Sequence, residues 1–595
     1  MNETTNKSLP KSKFLSPGFR LWLKLVAAIF IITSGLVLIF LGVPHPHNRS
    51  AWLPVLAAMA AISLLAAAIL SAFWLFIRWL GWRRVLFLLA CLVTVIALFY
   101  AEEDWRGHHA WVQYRRAEAA KGAPFDWAAV VPPPVPDDQN FALTPVVASS
   151  YGQMLDRTGH EIRPQNDKLV NRLSMPYYGW SQHSGNLFTN GLYNWNLGKR
   201  TDLAAVQRDY RALAMETNLF PVPPQPQTPA ADVLLALSRY DATLEELRQA
   251  AQLPYSRFPL EYDKEEPGSI ILPHLAAVKS CAQMLSLRAT AELQTGRSDQ
   301  ALADVQLVQR LTESVRTEPF IVSHLVRMVM VQLMLQPVWE GLADHRWSEA
   351  QLTGLDAGLA KLDFVADYDH SFRGVRAFMT DSIDYVRRHP WQYSNLRVVY
   401  GTDAPPSSGQ ELMFSLLMAG HLVPSGWFDQ NGLGIDRTLD EYYLLAADVQ
   451  KHTIAPLLVE QGNALLENER QHLTFFNAIE CFMLRPVGKA ARSLAYGQSS
   501  ADLARVAVAL ERYRLAQGRY PEALAALAPQ YMEQVPNDVI GGQPLHYRLT
   551  EDGQFVLYSV GWNGTDDGGV VGLTHGSTPQ QDPSQGDWVW RYPQP

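Results

Sequence analysis

Three apolar runs crowd the first hundred residues, Leu21 to Val43, Trp52 to Phe76 and Val85 to Tyr100, and nothing comparable is expected to follow. An α-helix rises about 1.5 Å per residue against a hydrocarbon core of roughly 30 Å, so the first two runs are long enough to cross a bilayer and the third is marginal. The expected anchor is therefore a set of three transmembrane helices within 21–100, with lipid as its partner. A cleaved signal peptide is the poorer reading. Its apolar region runs to about 7–15 residues, and Leu41-Gly42-Val43-Pro44 offers no small-x-small cleavage site.

Lys and Arg resist translocation, so their distribution around the runs gives the sidedness. Lys7, Lys11, Lys13 and Arg20 precede the first run, Arg49 alone lies between the first two, Arg78, Arg83 and Arg84 lie between the second and third, and Glu102, Glu103 and Asp104 follow. The pattern reads in, out, in, out. It places residues 1–20 in the cytoplasm and the large remainder outside it, at a bacterial inner (cytoplasmic) membrane. A third run that failed to cross would invert the sign.

The chain has 595 residues, 48% of them hydrophobic and 18% charged, with a formal net charge of −8. At about 100–200 residues per domain, the part after Tyr100 has room for two to four units with packed cores. No basic block is present, which excludes the clustered Lys and Arg that a phosphate backbone needs and so argues against nucleic acid. Three cysteines, Cys91, Cys281 and Cys481, are too few for a disulfide framework; Cys281 and Cys481 could pair or stand as buried thiols.

The expected fold class is multi-domain: transmembrane helices, a mainly α extracytoplasmic body, and a small α+β domain at the end. Residues 101–150 read as a connector, in which an amphipathic stretch from Trp105 to Ala120 leads to Val131-Pro132-Pro133-Pro134-Val135-Pro136, extended by its prolines. His108 and His109 are adjacent and point in different directions on a helix, a poor arrangement for a metal. The body is expected at 151–496. It holds an irregular segment with Tyr177, Tyr178, Trp180, Phe188, Tyr193 and Trp195, whose rings either stack on a glycan or bury the segment against helices.

Helical spacing dominates from Ala231 to Tyr496. A hairpin is well marked: a helix from Leu275 to Thr295 stops at Gly296, Ser298 is placed to cap the next, and Ala301, Leu302, Val305, Val308 and Leu311 form its buried face. Gly296-Arg297-Ser298-Asp299-Gln300-Ala301-Leu302 resembles the turn of a tetratricopeptide hairpin. The likeness covers one unit, and an array needs about three or more. Asp429, Asn431, Gly434 and Asp440 match four positions of a calcium loop, although Leu433 stands where the fifth ligand belongs, and a turn before a helix explains them equally well.

Residues 497–595 are the most specific part. Ser500 is placed to cap a helix with the stripe Leu503, Val506, Ala507, Leu510 and Tyr513, ended by Gly518. A short helix from Glu522 to Tyr531 follows, then strands His546 to Leu549 and Phe555 to Val560 around the turn Glu551-Asp552-Gly553. Gly518-Arg519-Tyr520-Pro521, Val535-Pro536-Asn537-Asp538, Gly542-Gln543-Pro544-Leu545-His546-Tyr547 and Val556-Leu557-Tyr558-Ser559-Val560-Gly561 stand in the order found in the soluble domain of type II secretion major pseudopilins, which this region resembles. The resemblance implies a calcium site in the loop Asn563-Gly564-Thr565-Asp566-Asp567-Gly568-Gly569, with Asn563, Asp566, Asp567 and Asp587 as ligands and carbonyls from the Leu557 to Ser559 region. A solvated acidic turn explains the same residues. Leu23 stands where a pseudopilin carries Glu, and the module lies far from the anchor, so filament assembly is not implied. The whole layout resembles uncharacterised bacterial membrane-anchored proteins for which the family supplies no activity.

No nucleophile elbow, phosphate loop, zinc-helix motif or Cys-x-x-Cys is present. Carboxylate pairs for glycoside hydrolysis are open at Asp263, Glu265 and Glu266, or at Asp381 and Asp384 with His370. The functional expectation is a membrane-anchored cell-envelope protein with a non-catalytic binding or scaffolding role toward other envelope proteins. The alternative is a glycan-binding or glycan-active protein using segment 177–195.

Overall fold

In a computed structural model of the chain, the third apolar run and the amphipathic stretch after it form one helix, α1 (Trp82–Ala120). The structure describes residues 82–122, 125–151, 194–217, 220–390, 422–575 and 580–593, together with a few isolated positions and short segments before residue 176. Among the isolated positions, Lys24 and Ala28 of the first run and Leu65, Ala68, Ile69 and Ala72 of the second are helical. From Trp82 to Tyr100 the helix rises about 27 Å, close to the roughly 30 Å of hydrocarbon. The helix starts ahead of the apolar run, at Trp82, so Arg83 and Arg84 flank the run on the same helix.

Among the described residues two helices are long and apolar enough to span a membrane. The apolar window of α1 is wholly unburied. The second helix, α7 (Ile321–Ala343), has 72% of its window buried, so it is a core helix. This corrects the expectation that nothing comparable follows residue 100. The chain divides into two compact units, Met1–Glu102 and Glu103–Pro595.

The second unit is mostly helical. Before α7 come α2 (Leu203–Thr217), α3 (Pro229–Leu237), α4 (Asp241–Ala250), α5 (Pro273–Gln294) and α6 (Ser298–Ser314). After it come α8 (Glu349–Leu359), α9 (Phe364–Arg388), α10 (Ser425–Thr438), α11 (Pro456–Gln471) and α12 (Val487–Gln517). The α5–α6 hairpin forms as the sequence predicts, turning at Gly296 with φ +76°, where a Cβ is costly. Ser298 is the first residue of α6 rather than its cap, and its hydroxyl accepts a hydrogen bond from Gln351 instead.

Helix α7 packs against α5, α6 and α12. Pro337 lies inside it and lacks the N–H that the Leu333 carbonyl would receive. Ser286 of α5 donates its hydroxyl to that carbonyl at 2.6 Å, so a break in one helix is repaired by its neighbour.

Helix α12 begins at Val487, and Ser500 lies within it, donating its hydroxyl to the Tyr496 carbonyl. The expected boundary at 497 therefore falls inside a continuous helix. Gly518 ends α12 at φ +75°, and the expected helix from Glu522 to Tyr531 is reduced to a single 3-10 turn, Leu524–Leu527. The tail sheet is antiparallel in the order β1 (His546–Leu549), β2 (Phe555–Ser559), β5 (Trp588–Arg591), with a separate hairpin of β3 (Val571–Leu573) and β4 (Gln581–Gly586). Its register pairs His546 with Tyr558 and Ser559 with Trp588.

The sheet does not stand apart from the helices. Trp590 of β5 meets Trp195 at 5.1 Å between ring centroids, Trp588 meets Tyr496 edge-on, and Trp339 of α7 donates its indole N–H to the Arg591 carbonyl. Body and tail share one hydrophobic core. Trp195 is 1% exposed, so of the two readings of its segment this ring follows the one that buries it against protein. Trp180 and the rest of 177–193 lie outside the described residues. Cys281 and Cys481 are both buried free thiols.

Candidate functional sites in the cleft beside the first helix and in the tail loop

The part of α1 from Glu103 onward lies against α10 at backbone distance. A Cβ on Gly107 would meet the Gly426 carbonyl oxygen at 2.1 Å, and one on Gly426 would meet the Glu103 carbonyl oxygen at 2.1 Å. Only glycine at both positions permits this approach. It brings the Asp104 carboxylate to the Gly426 N–H at 2.9 Å, satisfying a free donor at the start of α10 where Pro424 supplies no side-chain cap. Glu103 is buried there. Burial pushes its carboxyl up, but hydrogen bonds from Arg106 and the Trp427 indole N–H outweigh this and leave it below the usual range.

One turn further on, Trp111 covers Gly432, and the Tyr114 hydroxyl donates to Asp440 at 2.6 Å, where Arg376 of α9 also binds. Phe125 lies between two guanidinium groups, Arg115 at 5.2 Å and Arg376 at 4.8 Å from its ring centroid. Behind them Asp436 is fully buried, and neither carboxylate oxygen has a hydrogen-bond partner among the described residues. Burial holds its carboxyl well above the usual range, against the pull of Arg376.

These elements enclose a cleft of about 510 Å³, with Trp111, Val112 and Phe125 among the residues lining it. The volume lies within the roughly 300–1,000 Å³ typical of small-molecule sites. Its charged groups come from α1, α9, α10 and the loop before the helical turn Trp127–Val130. Arg387 binds Asp384 at 2.8 Å and Asp429 at 3.4 Å, His108 lies 3.5 Å from Asp429, and Arg115 lies 3.2 Å from Asp126. Among the described residues Arg116 makes no ion pair. Burial raises the Asp429 carboxyl, and Arg387 and His108 only partly offset this.

The stretch around Trp427 that partly matches a calcium loop is helix α10, with Asp440 just past its end. Asp429 turns to Arg387 and His108, Asn431 accepts the N–H groups of Ile479 and Glu480, and Asp440 serves Arg376 and Tyr114, so their oxygens diverge. His109 stacks on Trp105, away from His108. Among the described residues no group of three His, Cys, Asp or Glu side chains is arranged for a metal.

The carboxylates weighed for catalysis do not assemble either. Glu265 pairs with Arg388 and Glu266 approaches the Tyr385 hydroxyl. Asp381 and Asp384 share α9 with His370, but His370 lies about 16 Å back along the helix, against His324. Sequence spacing had no means of finding the cleft, because α1, α9 and α10 meet only through tertiary packing. The nearest signal was the pair of glycines, Gly107 and Gly426.

In the tail loop, Asn563, Asp566 and Asp567 lie on one turn and Asp587 reaches it from the link between β4 and β5, with unequal roles. Asp587 is buried and accepts the N–H groups of Asp567 at 3.2 Å and Gly569 at 2.6 Å. Asn563 donates to Asp567 at 3.0 Å. Asp566 turns away, taking the Tyr558 hydroxyl at 3.1 Å and facing His546 at 3.4 Å. Burial raises the Asp587 carboxyl, its two N–H bonds lower it, and Asp567 and Asp566 add to the rise. Leu557 and Tyr558 lie in the central strand, paired on both sides, which commits the backbone expected to supply carbonyls.

No family model matches the chain, and neither a curated protein nor a solved structure does. The pseudopilin-like and tetratricopeptide-like resemblances rest on the residues quoted for them.

Proposed function

We propose that the chain is a membrane-anchored protein of the bacterial cell envelope with a non-catalytic binding or scaffolding role. In this reading it is a multi-pass protein of the inner membrane, and the unit from Glu103 onward lies outside the cytoplasm. The observation that carries the proposal is α1, whose apolar half is bare while its Glu103–Ala120 half is built into the body. Trp105, 68% exposed just past the apolar stretch, suits the membrane interface, where aromatic side chains concentrate. A binding role is favoured over catalysis because the carboxylates weighed for hydrolysis do not come together: His370 lies about 16 Å along α9 from Asp381, and Glu265 pairs with Arg388.

A phosphatase reporter active only outside the cytoplasm, fused after Pro595, tests the sidedness. Activity supports the reading, and a reporter active only in the cytosol overturns it. Pull-down from detergent extracts tests the envelope-protein partners.

For the tail we propose calcium held by Asp567, Asp587 and Asn563, without Asp566. Each Asp587 oxygen bonded to an N–H keeps a second lone pair, and a cation there would relieve the crowding of Asp567 against Asp587. The expected result is a higher melting temperature of the full chain in detergent with millimolar calcium, lost in Asp567→Asn. An unchanged midpoint removes the site.

A further inference from the structure

The cleft beside α1 is electrically uneven along its length. At the His108 end one guanidinium, Arg387, serves two carboxylates, Asp384 and Asp429, so with His108 counted as neutral one negative charge is in excess. At the Arg115 end two guanidiniums, Arg115 and Arg116, and one carboxylate, Asp126, which is itself 83% exposed, line the cleft, while Asp381 of α9 lies behind the lining within electrostatic range of Arg115. Among the lining side chains one positive charge is in excess there. Seven residues of α1 separate His108 from Arg115, a rise of about 10 Å.

Between the two ends the floor is apolar and aromatic. Trp111 and Val112 come from α1, and Phe125 is fixed between its two arginines. A purely anionic ligand would meet Asp384 and Asp429, and a purely cationic one would meet Arg115 and Arg116. A ligand with an amine at one end and a carboxylate about 7–10 Å away meets both excesses, and an extended chain of two or three residues has that reach.

The geometry points to a short zwitterionic peptide as the ligand of this cleft, its amino end toward Asp384 and Asp429 and its carboxylate toward Arg115 and Arg116. The assignment rests on the reading of the body as a binding module and is independent of the side of the membrane it occupies. Arg116 is the group least committed to the fold, since it is exposed and makes no ion pair among the described residues, so it is the position to vary first.

The test is calorimetry on the full chain in detergent, with trialanine as the probe and trialanine blocked by N-acetyl and C-amide groups as its control. Trialanine is expected to bind, and the blocked form to bind at least about tenfold more weakly, equivalent to about 1.4 kcal/mol. Arg116→Gln should weaken trialanine but not its C-terminal amide, and Asp384→Asn should weaken trialanine but not its N-acetyl form. No binding at about 10 mM trialanine, a concentration that would detect affinities weaker than −4.1 kcal/mol, or equal binding of the blocked form, overturns the assignment. Mass spectrometry of the recovered peptide separates the two readings. Intact peptide supports both, whereas bound and cleaved peptide leaves the site standing and overturns the non-catalytic role.

Discussion

Replacing Gly426 by alanine should detach the 103–120 half of α1 from the body. The new Cβ would sit 2.1 Å from the Glu103 carbonyl oxygen and 2.8 Å from the Asp104 Cα, both of them backbone atoms that no rotamer change can move. Bringing the closer contact to 3.0 Å requires α1 to retreat by about 0.9 Å (3.0 − 2.1), because real Cβ atoms do not approach closer than this. That retreat stretches the Asp104–Gly426 and Glu103–Trp427 bonds, each 2.9 Å, to about 3.8 Å, outside hydrogen-bond range. Hydrogen bonds to charged groups contribute about 1.5–3 kcal/mol each, and alanine's better helix propensity returns at most about 1 kcal/mol, so the net loss is about 2–5 kcal/mol. The assay is thermal unfolding in detergent, followed by tryptophan fluorescence, with hydrogen exchange on peptides covering 103–120. Wild type and variant should differ by several degrees, and exchange across 103–120 should accelerate. Gly354→Ala is the control: this helical glycine has only an ordinary 3.8 Å contact to Gln306, and its replacement should be neutral or stabilising. If Gly426→Ala melts with wild type and its exchange is unchanged, the backbone-to-backbone contact is refuted.

Three further outcomes follow from buried polar groups. Ser286→Ala leaves the Leu333 carbonyl without its donor next to Pro337 and should cost about 1–3 kcal/mol in urea unfolding; an unchanged midpoint would show that the carbonyl finds another partner. Burial pushes the Glu480 carboxyl up to about 7 despite the Thr438 hydroxyl, so its contribution is fully present below the unfolded carboxylate range and is lost as pH rises through 7. Glu480→Gln should therefore be more stable than wild type at pH 8, by on the order of 2 kcal/mol, and lose that advantage at pH 5; a constant difference across this range refutes the assignment. His324 behaves oppositely: burial first, then Arg327 and His370, push its imidazole down to about 3, so the unfolded chain binds its proton earlier and stability falls as pH drops below about 6.5. Between pH 6.5 and 5 this one group should cost about 2 kcal/mol, and His324→Gln should flatten that part of the profile; an unaltered profile assigns the acid sensitivity elsewhere.

Local pattern carried a good part of the architecture. The α5–α6 hairpin was legible because Gly296 interrupts two apolar stripes, and β1 and β2 because a Glu551-Asp552-Gly553 turn separates two segments rich in strand-forming residues. Cap positions were less legible. Ser298 and Ser500 have the right chemistry to start a helix, yet one bonds Gln351 from a neighbouring helix and the other lies well inside α12. The run Asp429 to Asp440 matches a calcium loop by residue type alone, whereas Trp427 stacked on Phe475 and Asn431 tied to the short helix Ala478–Met483 hold it as helix. Helix α7 passes the same hydropathy test as a membrane span, and only its burial identifies it as core.

By itself the sequence determined the apolar stretch that opens α1, the helical character of the middle and the strands β1 and β2 of the tail, because each depends on residues near one another in the chain. Tertiary structure alone decided that α1 continues unbroken to Ala120, that β5 closes on Trp195 and Trp339, and that Arg387, Asp429, Arg115 and Asp126 border one cleft. The contacts of β5, and those that bring α1 to α9 and α10, join residues hundreds of positions apart and are set by which elements approach closely enough to touch; between α1 and α10 a pair of glycines governs that approach.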